Sequence, residues 1–574
     1  MRRLILIFVF LSEFLITGCN NRPVKGYNNS GRNLLILDMV HHNPAESYTQ
    51  TSFSDPSKLV KYGYNGQVIN DYKFVHCAIT FDSFDSTIFP KSSESRKWVE
   101  ETASNIDRQI KAAHNAGIKI YFFTDIIVLP KRLFEKYRSE LCDEKGQITL
   151  EKPLTMQIHR IMVREIFDRF PGLDGLVIRT GETYLHNVPY HTGNNPITRN
   201  EQSHIKLIKL LREEICEKAG KELIYRTWDF GNFHINPEYY LKVTDQIEPH
   251  KNLIFSIKHT AGDYHRTFSF NPTLGIGRHP QIVEVQCQRE YEGKGAHPNY
   301  IAKGVIEGFE EYEGMKGYKG LNDLKDNPTF RGIWSWSRGG GWVGPYITNE
   351  LWCDLNAYVI SKWANNPDRS EEEIFYEYTR RLNMTRNDAI KFRRLCLLST
   401  TGVLIGHNSR IHTVNVWWTR DQFFGGLDGL EDSFREIIIE GQMKEVLKEK
   451  EDCVGIWKEI VKLSEDIESG NTEFISYLKV SSQYGLIKYS IIESAWTIML
   501  KGLEGDLSGN YDREGIRMAI DEYDRLWEKF SQLKITYPDC ATLYMPYTFV
   551  FEQPYYHRDG GMKESVDRYR NIIQ

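Results

Sequence analysis

Residues 282–293 read IVEVQCQREYEG, and this stretch gives the clearest indication of the fold. It begins as an apolar run of strand length and ends in a polar tip that contains Glu290 and Glu292. A strand of a parallel sheet is buried on both faces and displays its functional side chains where the chain leaves the sheet. Two similar runs end near Glu182 and Asp263. We therefore expect three carboxyl groups to meet at one end of a parallel barrel.

The region from residue 33 to about residue 340 alternates strand-like runs with segments that have apolar residues three and four positions apart. The strand candidates are residues 34–40, 74–81, 118–127, 175–182, 223–230, 253–260, 282–290 and 332–337. The clearest helix candidates are residues 99–116, 157–170, 203–219 and 300–313. This pattern predicts an α/β fold, a (β/α)8 TIM barrel over residues 33–365. A doubly wound open sheet is the alternative, but no glycine-rich phosphate turn follows the first strand candidate.

The pattern changes after Trp342, where β-like alternation almost disappears. The helix candidates from there on are residues 351–362, 371–382, 386–398, 433–464, 474–503 and 514–533. We therefore predict a C-terminal α-helical domain over residues 366–574. Two long segments rich in aromatic residues, 407–426 and 544–561, interrupt this helical pattern. Such loops either pack the two domains together or line a cleft, and the sequence leaves both interpretations open.

The N-terminal segment MRRLILIFVFLSEFLITGC is typical of a targeting signal. Two arginines precede an apolar run, and small residues then lead to Cys19, as in bacterial lipoprotein signals whose cysteine is lipidated after cleavage. We predict a signal peptide over residues 1–18, a lipid anchor on Cys19 and a tether over residues 19–32. A transmembrane anchor is the alternative, but the run is short and contains Glu13. The expected location is the cell envelope, either periplasmic or anchored in the outer membrane.

Composition and motifs exclude several classes of function. The net charge of -5 and the lack of a basic stripe argue against nucleic-acid binding. The cysteines other than Cys19 show neither a CxxC pair nor Cys/His metal spacing, so we expect buried thiols and no metal or cofactor. There is no GxSxG, Walker or HExxH motif. The spacing GxGxxG occurs in GGGWVG at residues 339–344, but it follows the last strand candidate and leads into a proline, which indicates a bend.

The strand candidates end in a dense mixture of carboxylates, cations and aromatic rings. The polar and aromatic residues there are Asp38, His41, His42, Thr124, Asp125, Arg179, Glu182, Arg226, Trp228, Asp229, Lys258, His259, Asp263, Arg289, Glu290, Glu292, Trp334, Trp336 and Arg338. In a TIM barrel, active sites form at this end of the strands. Glycoside hydrolysis needs one protonated carboxyl that donates to the leaving oxygen and one carboxylate that acts from the other face. The pattern therefore favours a glycosidase.

Three cations at the strand ends, Arg179, Arg226 and Lys258, exceed what glycoside hydrolysis requires. Arginine and lysine on adjacent strands suit a substrate that carries a carboxylate of its own. The alternative is that these cations pair with the acidic residues of the site itself.

Five motifs occur in an order that resembles the α-glucuronidases of glycoside hydrolase family 67. They are LVIRTGE (176–182), IYRTWDF (224–230), SIKHTAGDY (256–264), VEVQCQREYEG (283–293) and WSRGGGW (336–342). The resemblance is distant, because the family's N-terminal β-domain is missing and the RTGE segment is shorter than its counterpart. Glu292 stands where the family has a leucine, which would add a charge near the site.

The resemblance implies a role for each matched position. Glu182 would be the general acid, and Asp263 and Glu290 would together activate water in an inverting mechanism, with acid and base about 6.5–9.5 Å apart. The implied substrate-binding residues are Arg179, Arg226, Trp228, Lys258, Arg338 and Trp342. The family's substrate is (4-O-methyl)glucuronic acid linked α-1,2 to the terminal xylose of a xylooligosaccharide. Because Glu292 differs from the family's residue at this position, another uronate-containing glycan is an alternative substrate.

The leading hypothesis is an exo-acting glycosidase that releases a uronic acid from an oligosaccharide without a metal. An exo-glycosidase for a neutral or otherwise modified sugar is the second hypothesis. A lipid-anchored glycan-binding protein without catalysis is the third, although a matched set of Glu182, Asp263 and Glu290 exceeds what binding requires. The sequence leaves the oligomeric state open, a homodimer included.

Overall fold

The computed structural model describes residues 34–42, 48–71, 73–181, 183, 185, 188–194, 200–229, 231–340, 348–414, 427–538 and 562–574. The predicted signal peptide, Cys19 and the tether lie outside the described residues, as do Glu182, Trp342, residues 415–426 and the whole segment 544–561. Residues 33–574 belong to one compact unit. The proposed boundary between residues 365 and 366 stays a prediction.

Eight parallel strands close into a barrel, which confirms the predicted fold class. The strands are β1 (Leu35–His41), β2 (Gly66–Ile69), β3 (Lys119–Asp125), β5 (Gly175–Arg179), β7 (Glu222–Arg226), β8 (Leu253–Lys258), β9 (Gln281–Gln286) and β10 (Phe330–Gly339). Their order around the barrel is β1, β10, β9, β8, β7, β5, β3 and β2. A separate antiparallel pair is formed by β4 (Val128–Pro130) and β6 (His191–Gly193).

Alternate residues of the strands point into the barrel and fill it with apolar side chains. Leu37, Met39, Ile224, Ile282 and Trp334 belong to this interior cluster. The residues between them point outward and pack against the surrounding helices. This alternation decides which side chains at the strand ends face the barrel axis.

Helices connect the strands on the outside of the barrel. They are α1 (Pro56–Tyr62), α2 (Asp82–Asp85), α3 (Glu94–Asn115), α4 (Lys131–Lys136), α5 (Arg138–Leu141), α6 (Pro153–Arg169), α7 (Glu201–Leu211), α8 (Asn232–Ile235), α9 (Pro237–Thr244), α10 (Ala302–Glu307) and α11 (Leu321–Leu324). A π-helix, Arg212–Lys218, continues α7, and short 3-10 turns span Ser52–Ser54, Val75–Cys77 and Glu310–Tyr312.

The C-terminal region of the described chain is helical, as predicted. Its helices are α12 (Leu351–Asn365), α13 (Glu371–Arg381), α14 (Arg386–His407), α15 (Leu427–Ile439), α16 (Met443–Glu465), α17 (Thr472–Ser508), α18 (Arg513–Thr536) and α19 (Met562–Ile573). Helix α12 packs on β10, and the mostly buried α17 packs on α16 and α18. No helix in the described part of the chain is long and apolar enough to span a bilayer.

Local sequence signals set several helix ends. Ser370 and Glu373 form a reciprocal capping box at the start of α13, which satisfies two backbone N–H groups. Asn471 caps α17, and Gly509 ends it in the left-handed conformation that glycine adopts without strain. The sequence predicted one helix over residues 433–464, but Gly441 at φ 71 separates α15 from α16 there.

The predicted strand at residues 74–81 is wrong. The second barrel strand is β2, and the apolar run that follows it forms a 3-10 turn at Val75–Cys77. Phe74 and Cys77 are buried against Val128 and Val188, so the run packs above the barrel instead of joining it. Gly66 opens β2, where a Cβ atom would lie 2.4 Å from Leu37 Cδ2. The seven described cysteines are all buried and free, as expected.

Candidate active site at the carboxyl end of the barrel

The carboxyl end of the barrel is lined by polar side chains from most of the strands. The inward-facing positions near this end hold His41 on β1, Asp125 on β3, Arg179 on β5, Arg226 on β7, Lys258 on β8, Glu284 on β9 and Trp336 on β10. All of these except His41 are buried. The mixture of charges therefore lies inside the end of the barrel and not on its outer rim.

Two of the cations form paired hydrogen bonds with carboxylates on other strands. Arg179 donates through Nη2 to Asp125 Oδ2 at 2.6 Å and through Nε to Asp125 Oδ1. Arg226 donates through Nε and Nη2 to the two oxygens of Glu284, each at 2.8 Å. Paired bonds of this kind fix both the position and the plane of the guanidinium group. Arg179 and Arg226 therefore pair with acidic residues of the site itself, which is the alternative that the sequence left open to binding of a substrate carboxylate.

The third cation, Lys258, holds Asp263. Its Nζ donates to Asp263 Oδ1 at 2.5 Å and lies 3.7 Å from the centre of the Trp228 ring. The same oxygen accepts from the backbone N–H of Tyr264 at 3.1 Å. The other oxygen, Oδ2, accepts from the Tyr291 hydroxyl at 2.6 Å. Asp263 is thus oriented by donors on both of its oxygens.

Glu290 lies in the turn after β9, because that strand ends at Gln286 and not at residue 290 as predicted. Its backbone N–H donates to Gln286 Oε1 at 2.6 Å. Gly340, at φ 81, approaches closely, since a Cβ atom there would lie 2.5 Å from Gln286 Nε2 and 3.4 Å from Glu290 Oε2. A side chain at residue 340 would therefore press on the carboxylate of Glu290.

Two tyrosines, Tyr264 and Tyr291, donate to carboxylates of the site. Burial raises the pKa of the Tyr264 hydroxyl well above the usual value, and Glu284, Asp263 and Glu290 raise it further. Tyr291, the residue next to Glu290, donates its hydroxyl to Asp263 Oδ2 at 2.6 Å. The turn that carries Glu290 therefore lies against Asp263 at the carboxyl end of the barrel, and the catalytic roles of the two residues stay predictions.

Arg338 has contacts away from these ion pairs. It is fully buried, its Nη1 donates to Cys353 Sγ at 3.6 Å, and its Nε lies 3.7 Å from Glu350 Oε1. Both partners lie at the start of α12, which packs on β10. These contacts connect the barrel to the helical region, and a role of Arg338 in substrate binding stays a prediction.

Glu292 does not display its charge to the site, contrary to the expectation from the sequence. It is buried and accepts from Arg289 Nε and Asn299 Nδ2, each at 3.0 Å. Burial opposes ionisation of Glu292, but the charge of Arg289 and these hydrogen bonds outweigh it and lower the pKa. Arg289 itself has φ 59, so a left-handed turn directs the two side chains toward each other.

Asp38 points outward from β1, away from the barrel axis. Its oxygens accept from Ser335 Oγ at 2.6 Å and from Ser337 Oγ at 2.8 Å. Burial raises the pKa of Asp38 to about 6, although these hydrogen bonds act in the opposite direction. Asp38 therefore fixes β1 to β10 and takes no part in the ion pairs around the axis.

Glu284 is the acidic residue that the sequence analysis missed. It lies within the apolar run 282–286, where only the alternation of Ile282, Glu284 and Gln286 on one face indicates an inward position. A charged residue at such a position needs a partner, which Arg226 supplies. No cluster of three or more potential metal ligands is present among the described residues.

Comparison with known proteins supports the fold. No family model and no curated sequence matches the chain. Among solved structures, the chain is similar to a GH138 enzyme targeting pectin rhamnogalacturonan II, with a TM-score of 0.57 and 13% identity, over 95% of this chain and 67% of that one. At this identity the likeness shows a shared fold alone.

Two further solved structures match more weakly. CpGH84B gives a TM-score of 0.39 at 10% identity, over 93% of this chain and 76% of its own. A mutant O-GlcNAc hydrolase of Thermobaculum terrenum gives 0.36 at 9% identity, over 94% and 93%. The resemblance to family 67 stays a prediction.

Proposed function

We propose that the protein is an exo-acting glycoside hydrolase that releases a uronic acid from oligosaccharides. The observation that carries the proposal is the position of Asp263 at the carboxyl end of the barrel, where it accepts from Lys258 and from Tyr291, the residue next to Glu290. Active sites of TIM barrels form at this end. Carboxylates bordered by cations fit a reaction that needs acid and base carboxyls and a substrate that carries a negative charge.

The proposed mechanism is inversion in a single displacement. Glu182 would protonate the leaving oxygen, and Asp263 and Glu290 would orient and deprotonate a water molecule that attacks the anomeric carbon from the opposite face. Lys258 and Tyr291 hold Asp263 through both of its oxygens, so its orientation toward the water would be fixed before substrate binds. Arg179, Arg226, Trp228 and Lys258 would contact the sugar and its carboxylate, and Arg338 and Trp342 are the other proposed substrate-binding residues.

A second candidate is a glycosidase for a neutral sugar, and the pairing of the three cations with carboxylates of the site favours it. The described groups around the axis comprise the carboxylates Asp125, Glu284, Asp263 and Glu290, against the cations Arg179, Arg226 and Lys258. Because Arg179, Arg226 and Lys258 each already have a carboxylate partner, a substrate carboxylate would have to compete with that partner for the cation.

The test is hydrolysis of a panel of oligosaccharides by the full chain. The panel contains aldouronic xylooligosaccharides, oligosaccharides of pectin rhamnogalacturonan II, which the GH138 enzyme of similar fold targets, and neutral glycosides. We expect release of a reducing uronic acid, and a loss of at least about 100-fold in Glu182→Gln, Asp263→Ala and Glu290→Ala. Glu307→Gln, on the exposed surface of α10, is the matched control and should keep full activity.

Each alternative has its own outcome in this panel. Release from neutral glycosides alone would replace the uronate proposal with the second candidate. Binding of the oligosaccharides without release of any sugar would favour the glycan-binding protein. Full turnover in Glu182→Gln would remove that residue as the general acid.

We also propose that the mature chain is a lipoprotein anchored through Cys19 in the cell envelope. The support is the sequence of residues 1–19, in which arginines, an apolar run and small residues precede the cysteine. Metabolic labelling with a fatty acid should mark the wild type and not Cys19→Ala. Equal labelling of both would exclude this anchor.

A further inference from the structure

His41 ends β1 at the carboxyl end of the barrel and has a fixed ring orientation. Leu37 and Met39 belong to the interior cluster, so the alternation along β1 directs His41 inward as well. Its ring stacks on Trp336 of β10, with centroids 4.9 Å apart and planes 7° from parallel. The side chain stays partly exposed, in contrast to the buried ion pairs around it.

A hydrogen bond from Asn70 determines which nitrogen of His41 carries the proton. Asn70 follows β2, is 3% exposed, and donates through Nδ2 to His41 Nδ1 at 3.1 Å. A ring nitrogen that accepts a hydrogen bond carries no proton, so a neutral ring has its proton on Nε2. Nε2 is then a donor on the ring edge opposite Asn70.

The surroundings keep this ring neutral. Although the side chain is partly exposed, the loss of solvent around its ring lowers the pKa of His41 well below its ordinary value, and the charges of Arg179, Arg226, His42 and Lys258 lower it further. An imidazolium beside these cations would be repelled, whereas a neutral N–H adds a directional donor without adding charge.

We infer that His41 is a substrate-binding residue whose Nε2–H donates to a hydroxyl or carboxylate oxygen of the sugar, and that Asn70 is the positioning residue that fixes this tautomer. This inference rests on the proposed function, because that function is the reason to take the ligand as a sugar. The stack on Trp336 holds the donor in one plane, which gives it a preferred direction toward an acceptor at the barrel axis.

The first arm of the test measures the tautomer and binding without turnover. The full chain is labelled with ¹⁵N-histidine, and His41→Phe, which keeps a ring on Trp336 but has no N–H, identifies the His41 signals. We expect the Nε2–H tautomer from pH 6 to 8, and a shift of the Nε2 signal when glucuronic acid, galacturonic acid or glucose is added. An Nδ1–H tautomer, or no Nε2 shift with any of the three sugars, would overturn the inference.

The second arm uses the substrate identified by the hydrolysis panel. Loss of one hydrogen bond to the sugar should lower kcat/KM of His41→Phe by about 10–100-fold. Asn70→Asp places an acceptor opposite Nδ1, so it should move the proton onto Nδ1 and lower kcat/KM as much as His41→Phe does. Asn70→Ala removes the donor without adding an acceptor, so it should lower kcat/KM less than Asn70→Asp does. Unchanged kcat/KM in His41→Phe would overturn the inference.

The two arms separate the failure of this inference from that of the proposed function. If no oligosaccharide is hydrolysed, the proposed function fails, but the labelled chain and the three sugars still decide whether His41 Nε2 contacts a sugar.

Discussion

The ion pair between Arg226 and Glu284 gives the sharpest test of how the site is built. Both side chains are almost fully buried, with exposures of 2% and 0%. Among the described residues, Arg226→Met would leave the Glu284 carboxylate with two hydroxyl donors, Ser256 Oγ at 2.9 Å and the Tyr264 hydroxyl at 3.4 Å. Removing one partner of a buried pair leaves an uncompensated charge, which costs about 3–5 kcal/mol of folding free energy. We expect a loss in that range in Arg226→Met.

The assay is urea unfolding followed by circular dichroism and by pulse proteolysis on the wild type and each variant. The double variant Arg226→Met/Glu284→Met removes both charges and should recover stability to within about 1 kcal/mol of the wild type. Lys303→Met breaks an exposed pair with Glu307 on α10 and, as a matched control, should cost less than about 1 kcal/mol. A loss below 1 kcal/mol in Arg226→Met, or a double variant no more stable than the single one, would refute the reasoning.

The same double variant separates the structural role of Arg226 from a role in binding. If Arg226 also contacts a substrate carboxylate, the folded double variant should show a raised KM for the uronate substrate. An unchanged KM would show that Arg226 pairs with Glu284 and does not bind the substrate.

Three further predictions concern single side chains. Burial raises the pKa of Asp38 to about 6, from an ordinary value of 3.8. The contribution of Asp38 to the folding free energy is therefore fully present below pH 4, where the carboxyl is protonated, and is lost as the pH rises through 6. Asp38→Asn should therefore gain about 3 kcal/mol relative to the wild type between pH 4 and 7 in urea titrations, and a constant difference would contradict this. Tyr291→Phe removes the donor to Asp263 Oδ2 and should lower kcat about 10-fold or more with little change in KM, so an unaltered kcat would argue against this role. Glu292→Gln leaves Arg289 without its buried partner and should cost about 3 kcal/mol in urea unfolding, while a changed substrate preference would place Glu292 at the site after all.

The barrel could be predicted because its strands are apolar runs that end in polar residues. Strand β9 spans Gln281–Gln286, and Glu290 lies in the turn just after it, close to where the motif placed the carboxylate. Parallel strands bury both faces, so their sequence signal is strong, and the carboxyl ends of the strands necessarily meet at one edge. That geometry alone brings Asp263 and Glu290 to the same end.

The second strand was missed because its signal is weak and a stronger one lies nearby. Strand β2 has four residues, GQVI, whereas residues 74–81 form a longer apolar run that includes β-branched side chains. That run is buried by tertiary packing on Val128 and Val188, which a local pattern does not distinguish from burial in a sheet.

The partners of the charged residues could not be read from the sequence. Glu292 looked like a charge added to the site, but the left-handed conformation of Arg289 turns the two side chains onto each other. Glu284 was hidden in an apolar run, and its pairing with Arg226 joins two strands 58 residues apart. Pairings of this kind depend on which strands are neighbours and on their register, and both follow only from the closed barrel.

The anomeric form of the first product tests the central claim most directly. Hydrolysis of an aldouronic or rhamnogalacturonan II oligosaccharide by the full chain is followed by ¹H NMR from the first minutes, before mutarotation equalises the anomers. We expect a released uronic acid whose anomeric configuration is initially opposite to that of the cleaved bond, because Asp263 and Glu290 would activate water on the face opposite Glu182. A product with the retained configuration would contradict the proposed mechanism, and release of neutral sugars alone would contradict the proposed substrate.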